Sequence, residues 1–477
     1  MPEISQLHDH HGSVQGPHIS SLPSELLSIV FIYYRGNRHL DPVASDPIWT
    51  LLHVCQRWRD VAQDQPSLWC RIKASALSDS VLKGHLEEYR IALTCTVLGR
   101  YLDNSHNHPL DICIEDFDKV RWRPVLELIW DHHSRWRHVD VAFSGIELLA
   151  EAARASLPLG VSQVPMPLLK RFRVDSFVVD LLCLAPVLSA SGLRHLELDA
   201  SVTGALAHVL PWSQITRYRG AAYADGGQFL LSYMPNLEIC EVLADSDQHP
   251  GDNLRTSRQL PVCPMSHLRV LSHAGLTSSC LRSIEAPALE KLRINVYDNN
   301  HLLAYVRRSG LATLTTLSTE CGVDEMGDHR LREILLSCPA LRVLALRCQG
   351  APPTDIFALL AEDACKILPQ LAVLHIVPWP YSGQDGSVAY YRRVLHVAKC
   401  LLDQENRSLR SVEMSVPHKT PVPDFVMRVA KDVLGDDVCA LTLSEWRGSH
   451  SVEKHFQEFS SGWMDMYAFL SVLPAYH

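Results

Sequence analysis

The most informative stretch of the sequence reads Leu22-Pro23-Ser24-Glu25-Leu26-Leu27-Ser28-Ile29-Val30-Phe31. Its apolar residues recur at helical spacing, and Pro23 stands where a helix can begin. A second apolar segment follows as Leu51-Leu52-His53-Val54-Cys55-Gln56-Arg57-Trp58-Arg59-Asp60-Val61-Ala62, and then comes Pro66-Ser67-Leu68-Trp69. So small a unit cannot bury all of these apolar side chains by itself, and such a surplus is normally shared with a partner protein. We therefore interpret this segment as a protein-binding module.

Two helices are expected in the module, joined by a polar loop over residues 35–47 that two prolines interrupt. On the first helix we expect one apolar face, with Leu22 and Ile29 partly off it, formed by Leu26, Leu27, Val30 and Phe31. The second helix is expected to run as one element from about Ile48 to Gln63. Its apolar stripe would contain Leu51, Cys55, Trp58 and Ala62.

The three motifs, in this order, resemble the F-box family, particularly its fungal F-box-like branch. The resemblance covers residues 19–72 and implies a three-helix module that binds the Skp-type adaptor of a cullin-RING (SCF) ubiquitin ligase, and through it the cullin and RING subunits. The implied adaptor contacts on the first helix are Leu22, Pro23, Leu26, Ile29 and Val30. Those on the second helix, shared with the core of the module, are Leu52, Cys55 and Trp58. The alternative is an ordinary helical hairpin that packs on the rest of the chain.

A short phrase, apolar-x-x-apolar-x-apolar, recurs about eleven times beyond residue 105, for example at Leu193, Leu196 and Leu198. Segments of helical spacing lie between the copies, as at Leu331, Ile334 and Leu335. A strand and a helix repeated in this way predict a leucine-rich-repeat-like layout. The predicted fold class is therefore α/β with a mostly helical N-terminus: a small three-helix module followed by an irregular β/α solenoid. A doubly wound α/β domain is the alternative, because it also alternates strands and helices.

The predicted organisation has five parts: a disordered tail over 1–18, the F-box-like domain over 19–72, a helical connector over 73–105, the solenoid over 106–414 and a C-terminal cap over 415–477. The alternating residues Leu110, Ile112 and Ile114 predict the first strand. In the tail, His8, His10 and His11 leave a metal site open as the alternative to disorder.

Charged residues alternate in sign at the centres of successive predicted strands, at Asp140, Arg173, Glu197, Arg219 and Glu241. If neighbouring repeats stack in register, these side chains form either a docking surface or, as we prefer, a ladder that neutralises itself. The later strands are less charged and their side chains do not pair with one another, so a partner protein has more to gain by binding there. The residues predicted to contact a client protein there are Arg293, Ser318, Ala345, His375, Trp379 and Tyr381.

Composition and motifs exclude several other classes of function. The net charge of −9 lacks the basic excess that nucleic acid requires. The most apolar stretch, residues 177–188, is too short and too interrupted to span a membrane, and the N-terminus does not resemble a secretory signal. None of the 14 cysteines is spaced from another like a zinc ligand, so we expect reduced thiols in a cytoplasmic and/or nuclear protein.

No catalytic motif occurs in the sequence, so we expect no enzymatic activity and no cofactor. The predicted function is a non-catalytic substrate-recognition subunit of an SCF ubiquitin ligase, which holds an unknown client protein on its repeats. A scaffold that binds the adaptor without ubiquitylation of a client is the first alternative. An unrecognised enzyme is the second.

Overall fold

The computed structural model describes residues 22–36, 47–74, 85–115, 122–156, 164–175, 184–199, 202, 204–223, 229–243, 261–273, 279–294, 299–321, 325–348, 360, 367–378, 394–396, 399, 411–417 and 441–446. The predicted N-terminal tail, with its histidine cluster, lies outside these ranges. The chain divides into two units, Met1–Phe172 and Arg173–His477. No helix within the described ranges combines the length and the apolar character that a membrane span needs.

Unit 1 begins with three helices and continues with three more helices and four strands. The helices are α1 Ser24–Arg35, α2 Pro47–Val54, α3 Gln56–Gln63, α4 His85–Asn104, α5 Arg123–Trp130 and α6 Phe143–Ser156. The strands are β1 Arg71–Ala74, β2 Leu110–Ile114, β3 Trp136–Ala142 and β4 Arg171–Asp175, the last of which contains the boundary between the units. Short 3-10 turns occupy Pro66–Leu68 and His133–Arg135.

The prediction of one continuous second helix is wrong, because the chain breaks at Cys55. Its backbone is extended (φ −161°, ψ 169°), so Cys55 ends α2 and serves as the N-cap residue of α3. The Nε of Arg59 donates a hydrogen bond of 3.0 Å to the carbonyl oxygen of Leu52, which the end of α2 would otherwise leave without a helical partner. The break also turns the Cys55 side chain to solvent, away from the predicted stripe.

The core of the helical module forms around Leu27 and Phe31 of α1, which are fully buried. The Phe31 ring packs against Trp58 of α3 at a centroid distance of 5.0 Å. The indole N–H of Trp69 donates to the carbonyl oxygen of Ala62 at 2.8 Å, and the Trp69 ring lies 5.1 Å from that of Tyr101 in α4. The module is therefore packed against α4 through aromatic side chains.

The strands of unit 1 are parallel, and the first of them comes earlier than the sequence predicts. Ile72 of β1 pairs with Ile112 of β2, and Ile112 pairs with Val139 of β3. All three side chains are buried, which makes β1 a full member of the sheet. The prediction that Leu110 opens the first strand is wrong, since β1 precedes it.

Unit 2 continues with parallel strands that pair in chain order. They are β5 His195–Leu198, β6 Arg217–Gly220, β7 Ile239–Val242, β9 Val270–His273, β11 Lys291–Ile294, β12 Thr316–Cys321, β13 Val343–Cys348, β14 Val373–Pro378, β15 Ser411–Pro417 and β16 Leu441–Trp446. Two short strands, β8 Cys263–Pro264 and β10 Ile284–Glu285, form a separate parallel pair. The order of these described strands never reverses, whereas that of a doubly wound sheet does, so that alternative is wrong.

The recurring apolar phrase sets the register of unit 2. Leu196, Tyr218 and Cys240 stand opposite one another on successive strands, as do Leu271, Leu292 and Leu317 further along. These six side chains are buried, as the pattern predicts. Because β-strand side chains alternate between faces, the residues directly before and after each of these six residues on its own strand point to the other face of the sheet.

The described segments between strands of unit 2 contain helices and 3-10 turns. The described helices are α7 Ala185–Leu188, α8 Gly204–Val209, α9 Asn299–Ser309 and α10 Glu325–Leu336. The predicted helical segment at Leu331, Ile334 and Leu335 lies in α10 with all three side chains buried. Short 3-10 turns lie at Trp212–Gln214, Leu230–Tyr233 and Ser279–Ser283, the first of them in the same crossover as α8.

The predicted C-terminal cap contains a further strand of the sheet. β16 pairs in parallel with β15, with Val412 opposite Leu441. Residues 418–440 and 447–477 lie outside the described ranges.

Candidate functional site

Helix α1 carries an apolar stripe on its solvent side. Leu26, Ile29, Val30 and Tyr33 are all exposed, Ile29 to 61% and Tyr33 to 88%. Their spacing of three, four and seven residues places them on one face of the helix. The stripe (Leu26, Ile29, Val30 and Tyr33, called the α1 stripe below) is uncharged, and α1 carries a single exposed charged residue, Glu25.

The α1 stripe differs from the apolar face predicted for this helix. Leu27 and Phe31 are buried against the module, while Leu26 and Val30 face solvent, so the four residues do not share one face. Successive residues turn by about 100° around the helix axis, and this rotation separates the two pairs. Ile29, predicted to lie partly off the apolar face, is at the centre of the exposed stripe.

The structure places the eight predicted adaptor contacts in different environments. On α1, Leu22 is half-buried at the start of the helix and Pro23, Leu26, Ile29 and Val30 are exposed. On the second segment, Leu52 is buried in the core, Cys55 is exposed and Trp58 is half-buried against Phe31.

Four exposed apolar residues in this region were not predicted, Ile32, Tyr33 and Tyr34 on α1 and Val54 at the end of α2. Tyr33 stands seven residues after Leu26, and this helical spacing places it on the same face as the other stripe residues. Val54 is exposed because α2 ends there, and the break at Cys55 has no clear signal in the sequence.

The side chains at the start of α3 form a polar border beside this region. The Gln56 amide donates to the Asp60 carboxylate at 2.7 Å, and Arg59 Nη1 donates to the Gln56 amide oxygen at 3.0 Å. These exposed groups satisfy one another within the helix, so they leave the apolar character of the neighbouring α1 stripe unaltered.

Residues 19–75 match the family model described as F-box-like. F-box domains generally bind Skp-type adaptors, and the F-box-like domain indicates a protein that binds the adaptor of a ubiquitin ligase. The matched segment contains helices α1 to α3, the turn at Pro66–Leu68 and strand β1. No curated protein matches the chain.

The charged strand centres of unit 2 form ion pairs between neighbouring strands. Arg173 Nε lies 3.7 Å from Glu197 Oε2, and Arg219 Nη1 lies 4.0 Å from Glu241 Oε2. Arg219 Nε also lies 3.5 Å from Asp199 Oδ1. Glu197 and Arg219 are buried. These contacts agree with the predicted ladder that neutralises itself, because Arg173, Glu197, Arg219 and Glu241 each lie near an opposite charge.

The sheet register brings four of the predicted client contacts side by side. Arg293 stands opposite Ser318, Ser318 opposite Ala345, and Ala345 opposite His375. Arg293 is half-buried, but the other three side chains are buried, His375 completely. A partner could contact those three only if they became exposed. Trp379 and Tyr381 lie outside the described residues.

Burial disfavours the thiolate form of three described cysteines, Cys70, Cys240 and Cys338. Burial raises the pKa of the Cys70 thiol, raises that of Cys240 well above the ordinary value, and raises that of Cys338 to about 12. Thiols with such pKa values stay protonated at neutral pH, whereas the thiolate is the nucleophile. Within the described ranges, no group of three or more His, Cys, Asp or Glu residues is arranged to hold a metal ion.

Proposed function

We propose that the chain is a non-catalytic substrate-recognition subunit of an SCF-type ubiquitin ligase, present in the cytoplasm and/or nucleus. The α1 stripe would bind the Skp-type adaptor, and cullin and RING subunits would follow through that adaptor. The observation that carries the proposal is an uncharged apolar stripe, exposed on the first helix of the segment that matches the F-box-like family.

The α1 stripe offers enough apolar surface to support binding. Covering an aliphatic or aromatic side chain of this size contributes about 1.5–3 kcal/mol when its burial is complete. Ile29 is the central residue of the stripe and is more exposed than Leu26 and Val30. A charge introduced at Ile29 therefore lies in the middle of the contact that the whole stripe would make.

We further propose that the repeats form an irregular leucine-rich-repeat-like solenoid that holds a client protein. Parallel strands that follow one another in chain order, with stacked apolar residues, support this interpretation. The mechanism would be proximity: the receptor raises the effective concentration of client lysines near an activated ubiquitin that another subunit supplies. Arg293 remains the accessible described residue among the predicted client contacts, and Trp379 and Tyr381 remain candidates.

Substitution of Ile29 tests the adaptor contact. We expect Ile29→Asp to weaken binding of purified Skp-type adaptor to the full-length chain by at least about a hundredfold, since the change buries a carboxylate in an apolar interface at a cost of several kcal/mol. The matched control is Leu336→Asp, because Leu336 is an exposed leucine on α10 in unit 2. The measurement is the Kd by calorimetry. Equal affinities of the two variants and the unaltered chain would refute the proposed contact.

A scaffold that binds the adaptor without delivering a client is the second candidate. The burial of Ser318, Ala345 and His375 favours it, because these residues were predicted to touch the client. The two candidates differ in ubiquitin transfer to a co-purified protein when cullin, RING subunit and charged conjugating enzyme are added. If ubiquitin is transferred to the co-purified protein, and the Ile29→Asp variant loses that transfer, the result supports the receptor. If the adaptor binds but no ubiquitin is transferred, the result supports the scaffold.

A further inference from the structure

Charged side chains in the sheet of unit 2 differ in whether they have an opposite charge beside them. Those that lie near an opposite charge on a neighbouring strand are Arg173, Glu197, Arg219 and Glu241. Arg293 of β11 breaks this pattern, because its guanidinium group forms no ion pair or hydrogen bond with any residue that the structure describes. The charge of Arg293 therefore lacks the compensation that the ladder gives to the other four.

The neighbours of Arg293 across the sheet are uncharged. It stands opposite Ser272 of β9 on one side and Ser318 of β12 on the other. Strands in a sheet lie about 4.8 Å apart, and serine side chains are too short to cover a guanidinium group at that spacing. The row continues beyond Ser272 to Glu241, whose carboxylate lies 4.0 Å from Arg219. The guanidinium of Arg293 is thus flanked by hydroxyl groups instead of carboxylates.

Arg293 reaches solvent on a face that also carries aliphatic side chains. Arg293 and Ser272 are half-buried, and so are Val270 of β9 and Val343 of β13. Val270 and Val343 each precede a buried leucine of the apolar phrase, so the alternation along a strand places them on the same face as Arg293. This surface (Val270, Ser272, Arg293 and Val343, called the Arg293 patch below) combines one cation with partly exposed aliphatic groups.

The Arg293 patch suits a carboxylate better than a phosphorylated side chain. The planar fork of one guanidinium group matches one carboxylate with two parallel hydrogen bonds. A phosphorylated side chain carries a charge of about −2 and is typically bound opposite a cluster of arginines. The other cation on this face of β11, Lys291, is buried, so Arg293 is the accessible cation of the strand.

We propose that the Arg293 patch binds an extended acidic segment of the client protein, with an Asp or Glu side chain held by Arg293 and an aliphatic neighbour packed on Val270 or Val343. The inference rests on the proposed function, since it names the chemistry of the client that unit 2 would hold. The carboxylate would supply the opposite charge that Arg293 lacks. A segment without an acidic residue would cover the guanidinium group and leave it unpaired, and this cost gives the patch its specificity.

The test selects binders from a displayed library of random peptides on the full-length chain without the adaptor. We expect the selected pool to be enriched in Asp and Glu relative to the starting library. The same selection on Arg293→Glu should lose that enrichment and gain Lys and Arg instead, because the charge at the contact is reversed. The control is Arg332→Glu, since Arg332 is an exposed arginine on α10, and this variant should keep the acidic enrichment.

A peptide from the first pool then measures the strength of the contact. Its affinity by calorimetry should fall by about tenfold or more with Arg293→Gln, and by a similar factor when its acidic residue is replaced by the corresponding amide. The two changes together should weaken binding little more than either alone, because both remove the same contact. If urea unfolding shows that Arg293→Glu is destabilised, the milder Arg293→Gln decides.

Several results would overturn the proposal. They are a selection that yields no binding peptide, a pool without acidic enrichment, and an enrichment that Arg293→Glu and Arg332→Glu alter equally. Ubiquitin transfer is a separate measurement, so the two proposals can fail independently. Acidic peptides bound by a chain that delivers no client would refute the receptor and keep the Arg293 patch. Transfer to a client that Arg293→Glu leaves unchanged would refute the patch and keep the receptor.

Discussion

At the scale of single residues, Asp111 shows how a buried charge is kept in unit 1. Burial acts to raise its pKa, but the hydrogen bonds and charges of His138 and Arg137 outweigh that effect, and the pKa lies well below its usual range. The carboxylate therefore stays ionised throughout the physiological range. Its cationic partners stabilise the start of β2.

The lowered pKa of Asp111 predicts a loss of stability in acid. A group whose pKa is lower in the folded state than in the unfolded state stabilises the fold above the unfolded pKa, about 3.9 for an aspartate. That contribution is lost as the pH falls from there toward the folded pKa. We expect Asp111→Asn to be less stable than the unaltered chain at neutral pH, and the difference in unfolding free energy to shrink below about pH 4. Urea titrations at several pH values measure this, and a difference independent of pH would contradict it.

Residue spacing predicted exposure well in one place and badly in another. The sequence periodicity of α1 indicates the α1 stripe, since the spacing of Leu26, Ile29 and Val30 places them on one helix face with Tyr33. It could not say which of two apolar faces packs inward, because that choice depends on Trp58, which Phe31 meets across the module. The burial of His375 was equally invisible, since it depends on what covers the strand and not on the strand itself.

At the scale of elements, the ends of the helices depend on particular backbone conformations. Gly310 ends α9 with a positive φ of 59°, and its N–H donates to the carbonyl oxygen of Val306 at 3.0 Å. A residue with a Cβ pays a backbone penalty in that conformation, even though nothing lies within 4 Å of the position that the Cβ would take. Gly99, inside α4, has the same open surroundings and an ordinary helical backbone.

These two glycines form a matched pair for substitution by alanine. We expect Gly310→Ala to lower the free energy of unfolding by about 1 kcal/mol, because alanine disfavours positive φ. Gly99→Ala should raise it by about 0.5–1 kcal/mol, because alanine is the better residue in a helix interior. Denaturant unfolding of the two variants tests the opposite signs, and shifts in the same direction would contradict the assignment of the α9 terminus.

The strands of unit 2 were more predictable than the helices between them. Each copy of the apolar phrase carries its own inward-facing pair, so the pairing of Leu292 with Leu317 follows from the copies themselves. Helices α9 and α10 are long enough to show their spacing in the sequence, whereas the 3-10 turns between other strands are too short to show a periodicity. Strand β1 escaped prediction for a similar reason, since Ile72 and Ala74 alternate over too few positions to be recognised.

At the scale of the whole molecule, the ladder of unit 2 joins consecutive strands of the sheet through their charged side chains. Arg219 lies between carboxylates on both sides, Asp199 and Glu241, and its side chain is 3% exposed. Because water is largely excluded there, removing Arg219 takes away a cation that two acidic groups share. The ladder thus depends on side chains from several strands, and we expect its loss to destabilise those strands together.

We expect Arg219→Met to destabilise unit 2 by about 3–5 kcal/mol, the cost typical of breaking a buried ion pair from one side. The control is Arg307→Met, because the Arg307–Glu333 pair is largely exposed and such pairs contribute about 0–1 kcal/mol. The midpoint of urea unfolding should fall clearly in the first variant and stay nearly unchanged in the second. Equal midpoints would show that the ladder contributes little.

The contact between Trp69 and Tyr101 determines where unit 1 can be cut. A fragment ending at residue 75 would retain the indole of Trp69 but lose the ring that covers it, and would expose a large aromatic surface to water. Such a fragment should be prone to self-association, and a truncation that begins at residue 73 would sever β1 in mid-strand. Deletion experiments on this chain should therefore keep residues 22–175 together, so that β4 is not severed either.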